Sequence, residues 1–117
     1  MSELIGQARF VSEELMSRGY PHDWNSSTVE RIGLTDGKNN FVEEKILTFQ
    51  GMSSQERKQH LGINKNFYMI LEYVNGTTIY EIGDAGETAD AMVQIVRVGV
   101  YNNQFVKLKV RLWEYIN

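Results

Sequence analysis

Asn66-Phe67-Tyr68-Met69-Ile70-Leu71-Glu72-Tyr73-Val74-Asn75-Gly76-Thr77-Thr78-Ile79-Tyr80-Glu81-Ile82 holds two apolar, β-rich runs joined by Asn-Gly. Both turn residues tolerate positive φ, so the stretch predicts a β-hairpin. Downstream, Met92 to Tyr101 and Phe105 to Ile116 predict a second hairpin across Asn102-Asn103. In its last strand Val106, Leu108, Val110 and Leu112 alternate with Lys107, Lys109 and Arg111, giving one core face and one wet face. Residues 83 to 90 form the polar loop between the hairpins, and residues 66–117 as a whole are expected to be an antiparallel meander.

Upstream the apolar period lengthens from 2 to about 3.6. Leu4, Ala8, Val11 and Leu15 make one stripe on a helix over residues 1–18, with Ile5 and Met16 beside it and Ser2 as its cap. Gly19 and then Tyr20-Pro21 stop this helix. The stripe runs right up to the first residues, which suggests the lower end of a longer helix. Residues 19–65 are read as loop and short helices. A short strand is expected at Val29 to Leu34 and a turn at Asp36 to Asn40. A helix over Phe41 to Phe49 is expected behind Asn40 as cap and ahead of Gly51 as stop. Ser53 or Ser54 would then cap a polar helix through Leu61, ended by Gly62. Helices first and paired strands afterwards is the segregated α+β pattern, with an N-terminal amphipathic helix and one or two short helices packed on about four antiparallel strands.

With 117 residues and 42% hydrophobic residues, the chain suits one domain with a single core. The formal charge of -3 is too balanced for a basic nucleic-acid footprint, and no nucleic-acid partner is expected. The absence of cysteine excludes disulfides, thiolate metal sites and thiol nucleophiles. No apolar run approaches the roughly 20 residues that span a bilayer. Catalytic patterns are equally missing: there is no phosphate-cradling glycine motif and no GxSxG elbow. His22 and His60 stand apart in polar contexts and read as surface histidines. Asp84, Glu87 and Asp90 gather carboxylates in one loop, where a hard cation or an unfamiliar acid site is the sharper reading and a solvated loop the plainer one. No catalytic residue, cofactor or metal is assigned. Asn25-Ser26-Ser27 and Asn75-Gly76-Thr77 match the N-x-[ST] acceptor pattern, making Asn25 and Asn75 candidate glycosylation sites.

The run Leu15-Met16-Ser17-Arg18-Gly19-Tyr20-Pro21-His22-Asp23-Trp24, then Ile32-Gly33-Leu34-Thr35-Asp36-Gly37 and a helix containing Lys45-Ile46, resembles the soluble head of archaeal type IV pilin-like proteins. The closing stretch from Val96 through Asn102-Asn103 to Trp113 is similar to that family's last hairpin. Gly19, Pro21, Trp24, Gly33, Leu34 and Trp113 carry the likeness, which covers about the first 50 and last 25 residues. The resemblance implies a non-enzymatic subunit of a surface filament or pseudopilus. It also implies a class III signal peptide and an N-terminal hydrophobic helix that anchors the precursor in the membrane before assembly. Met1 would then lie within a longer natural chain, and Leu4, Ala8, Val11 and Leu15 would pack the head onto the lower half of that helix. Other pilin subunits and the assembly machinery would be its partners, met through the hydrophobic helix, and the location would be the cell surface. The alternative is a cytosolic α+β domain that binds a small ligand or protein in an apolar pocket between helix and sheet, lined by Phe67, Tyr73 and Trp113.

Overall fold

A computed structural model describes residues 2–116 and shows the expected α+β arrangement. Helix α1 covers Ser2–Met16, α2 Glu43–Gly51 and α3 Ser54–Leu61; the strands are β1 Asn66–Tyr73, β2 Thr78–Gly83, β3 Ala91–Tyr101 and β4 Gln104–Glu114. The readings attached to Met1 and to a Ser2 cap lie outside the described residues and side chains.

Leu4, Ala8, Val11 and Leu15 are all fully buried, as one helix face laid on β3 and β4 must be. Ser12, also buried, continues this face as a polar position: its Oγ accepts from the Arg97 guanidinium of β3 at 3.1 and 3.2 Å and donates to Arg9 O. Helix α1 stops two residues short of the expected end. Ser17 Oγ accepts from the Gly19 N–H at 3.1 Å, and Gly19 turns into the left-handed region at φ +74°.

The expected helix over Phe41 to Phe49 starts later, at Glu43. Phe41 and Val42 spend their backbone N–H groups elsewhere, on Val100 O and Leu34 O, so they stay extended. Asn40 does not cap α2 but bonds Asp36 within the preceding turn, and the capping position is Val42, without a side-chain acceptor. The helix does end at Gly51, its last helical residue, and extended Met52 follows. Helix α3 is as read. Ser53 and Glu56 form a reciprocal capping box, and Gly62 closes the helix at φ +68°. The strand expected at Val29 to Leu34 is replaced by isolated bridges, Tyr20 with Arg31 and Thr35 with Phe41.

All strand pairs are antiparallel, and the order is β2-β1-β4-β3, which corrects the meander. Each hairpin forms locally, but the two meet through β1 and β4, so residues 84–90 cross the sheet end from one edge to the other. The Asn102-Asn103 turn has φ +52° and +61°, the mirror-image geometry that matches strand twist. The Asn75-Gly76 turn differs from expectation: only Gly76 has positive φ, the Tyr73 N–H bonds Thr77 O, and the Gly76 N–H bonds Tyr73 O. It is therefore a three-residue loop over Val74-Asn75-Gly76 rather than a two-residue one.

Phe67, Met69 and Leu71 of β1 share the α1 side of the sheet with Val106, Leu108, Val110 and Leu112 of β4, all buried. The opposite face is less wet than the alternation suggests. Tyr68, Glu72 and Trp113 are buried there, with the Arg111 guanidinium 5.0 Å above the Tyr68 ring and Lys109 paired to Glu72 at 2.7 Å. The 84–90 crossover covers this end of the face: Trp113 Nε1 donates to Asp84 O at 2.7 Å, and its ring lies against Gly86, where a Cβ would come within 2.4 Å.

Candidate functional site: the junction at the end of helix α1

A helix leaves its last carbonyls without partners, and α1 ends inside the protein where water cannot serve them all. The loop that follows returns to supply the donors. The Leu34 N–H bonds Leu15 O at 2.9 Å, and Thr35 uses its Oγ1 on Met16 O at 2.7 Å and its N–H on Ser17 O at 3.1 Å. Lys45, on the first turn of α2, sends its Nζ to Arg18 O at 2.6 Å and Thr35 O at 3.1 Å. Four successive carbonyls, from Leu15 to Arg18, at and just past the end of α1 are thus held by groups 18 to 27 residues away in sequence.

Close backbone approach makes this return possible. A Cβ on Gly33 would meet Gly19 N at 2.1 Å, and one on Gly19 would meet Arg31 O at 2.5 Å. Only paired glycines let the two segments touch. Trp24 lies buried over the crossing and donates from Nε1 to Gly33 O at 3.0 Å, while the cis Tyr20-Pro21 bond precedes the turn in which the Trp24 N–H bonds Pro21 O. Arg31 reaches back to Glu14 of α1 at 3.1 Å. Of the residues that carry the family resemblance, Gly19, Pro21, Trp24, Gly33 and Leu34 therefore converge on one junction. Trp113 does not; it sits under the crossover loop on the far side of the sheet.

Lys45 is the chemically unusual member. Burial, followed by the nearby Arg18 charge, lowers the pKa of its ammonium from the ordinary lysine value. The helix dipole and the carbonyls offset that cost, because a cation is favoured at a helix C-terminus. Asp36 flanks the site, its carboxyl held below the usual range by the Asn40 side chain and the Lys38 N–H. Beside these groups opens a cleft of about 510 Å³ lined by Arg18, His22, Asp23, Trp24, Asp36 and Lys45, among others. The sequence offered Lys45 only as part of the resemblance. Its sharper signal is a lysine three residues after Val42 and four before Phe49, in line with the apolar stripe of α2. Arg57 repeats the device on α2, donating to Phe49 O and Gln50 O at 3.3 Å.

The other candidates are dispersed. His22 lies at the cleft and His60 in the last turn of α3. Asp84 accepts from the Gly86 N–H and Asp90 from the Ile116 N–H, and among the described residues no three His, Asp or Glu side chains are placed to hold a metal ion. Phe67 packs edge-on against Phe49 at 5.7 Å inside the core, whereas Trp113, opposite Asn66, points to the other face. With Tyr73 they do not line a common pocket, which corrects the placement of the expected ligand site. Asn25 and Asn75 are exposed, and in each the side-chain oxygen accepts the N–H two residues on, at 2.8 Å from Ser27 and 3.0 Å from Thr77. No helix among the described residues is long and apolar enough to cross a membrane. Comparison with protein-family models, curated proteins and solved structures found no match for this chain.

Proposed function

We propose that this chain is the head of a non-enzymatic structural subunit of an archaeal type IV pilus-like filament or pseudopilus, carried on a helix of which α1 is the lower end. The observation that supports this best is the junction itself. Leu4, Ala8, Val11 and Leu15 seat α1 along the sheet, and the Gly19–Gly33 crossing with Thr35 and Lys45 ties off its end, so a pull along α1 is delivered to the sheet rather than to a flexible loop. At roughly 1.5 to 3 kcal/mol per fully buried aliphatic side chain, the stripe alone is a firm attachment. A filament subunit needs this coupling, since neighbouring subunits would hold it through the upper helix while the head faces solvent. Partner subunits and assembly machinery, membrane anchorage of the precursor, and glycans on Asn25 or Asn75 belong to the same reading.

The test is to shear surface filaments from source cells and read the N-terminus of the natural product by mass spectrometry. The reading expects the protein in the sheared fraction, with about 20 apolar residues continuing the α1 stripe upstream. A natural product that starts at Met1 and stays with the cell body would overturn it. The second reading, a ligand-binding domain, gains support from the cleft beside Lys45, whose volume lies within the range of roughly 300 to 1,000 Å³ usual for small-molecule sites. Native mass spectrometry retaining a ligand that is lost on substituting Trp24 would favour it.

A further inference from the structure

The two edges of the sheet are built differently. Strand β2 is short, carries exposed Glu81 and is kinked by a register shift opposite Leu71 and Glu72, all of which discourage further pairing. Strand β3 runs without interruption from Ala91 to Tyr101, and the side chains of Met92, Val96 and Val98 on it are exposed. Its hydrogen-bonding sense follows from the turn. In a hairpin closed by two residues, Tyr101 and Gln104 exchange hydrogen bonds, so odd-numbered residues of β3 bond β4 and even-numbered residues direct N–H and C=O outward. Val100 confirms the parity: its N–H bonds Asn39 O, and its C=O accepts from the Phe41 N–H. Among the described residues that contact covers the edge only at Val100. Met92, Gln94, Val96 and Val98 are left with outward backbone groups and no Lys, Pro or bulge among them.

We infer that a second copy of this chain pairs along β3, antiparallel, across a two-fold axis at Ile95. Pairing the whole open window Met92 to Val98 places the axis at Ile95 and sets Met92 against the second copy's Val98 and Gln94 against the second copy's Val96. Apolar side chains meet apolar or neutral ones on the outer face. On the α1 side Arg97 faces the second copy's Val93, so no like charges oppose, and Glu13 and Ser12 of its own helix already hold its guanidinium. The contact is isologous and closes as a dimer, because pairing uses up the same edge on both copies. A cleft of about 540 Å³ bordered by Glu13, Met16, Ser17, Asn39, Val96 and Val98 leaves room beside the edge for the incoming strand. The inference does not depend on the filament reading.

Sedimentation velocity on the 117-residue chain over a concentration series, with amide exchange by NMR, tests it. Expected are a monomer–dimer equilibrium and, on dimerisation, slowed exchange at the amides of Met92, Gln94, Val96 and Val98. Val96→Pro removes an outward N–H, a change an edge strand tolerates, and should leave a folded monomer. Should circular dichroism show Val96→Pro unfolded, Val96→Lys decides by the same readout, since an edge lysine blocks pairing without touching the fold. A chain monomeric at every concentration, a dimer that survives the folded variant, or protection elsewhere than β3 would each overturn the inference. So would a monomer that takes up an extended peptide on β3 in place of a second copy.

Discussion

Replacing Lys45 with Met keeps an unbranched apolar stem in the same buried position and removes only the ammonium. Two contacts are lost, to Arg18 O at 2.6 Å and to Thr35 O at 3.1 Å. A hydrogen bond from a charged donor contributes about 1.5 to 3 kcal/mol, and a carbonyl left buried without a donor costs about 1 to 3. Thr35 is fully buried, so its carbonyl pays that cost; Arg18 is exposed, and water can replace the lysine there. Against the loss stands the relief of no longer burying a charge, which is what lowers the lysine pKa. The net expectation is destabilisation of about 2 kcal/mol. For a domain of this size that corresponds to a melting temperature lower by about 8 °C. Calorimetry measures the shift, and amide exchange locates it. The Leu34 and Thr35 amides, bonded to the end of α1, should lose more protection than the amide of Leu108 in the central strand β4. An unchanged or raised melting temperature, or a uniform loss of protection, would show that Lys45 does not latch the end of α1 to the rest of the fold.

Gly33→Ala should be severe, destabilising by about 3 kcal/mol or preventing folding, because its Cβ would meet Gly19 N at 2.1 Å with backbone on both sides; urea denaturation checks this. Ser53→Ala removes one half of the α3 capping box and should cost about 1 kcal/mol, visible as a lower urea midpoint with unchanged slope. In alkali the Tyr68 phenol, pushed up to about 12 by burial and by its 2.5 Å hydrogen bond to Glu81, keeps its proton in the folded state after an unfolded tyrosine has lost it near about 10. Its contribution is whole below that lower value and is lost as pH rises through the upper one, so the unfolding midpoint of the wild type should fall between about pH 10 and 12 more steeply than that of Tyr68→Phe. Equal slopes would place the alkaline loss on Tyr101, whose pKa is raised in the same direction by Tyr80, burial and Glu43.

What the sequence determined by itself is whatever rests on neighbours in the chain. The stripe of Leu4, Ala8, Val11 and Leu15 depends on helical period, the alternation of Val106 to Leu112 on the strand pleat, and the Ser53–Glu56 box and the Asn102-Asn103 turn on contacts spanning a few residues. Those features fixed the α+β class and most of the core. Only the tertiary structure decided the strand order β2-β1-β4-β3, since either hairpin could join the other along different edges at similar local cost. It also decided that Phe41 and Val42 stay out of α2, because Val100 O and Leu34 O claim their N–H groups. Helix propensity carries no information about such distant acceptors. The same holds for the junction: Lys45 looks like an interruption of an apolar stripe until the end of α1 is brought against it, and then its charge has carbonyls to serve. Trp113 shows the converse case, an apolar residue on the outer face that is buried only because the crossover loop from Asp84 lies over it.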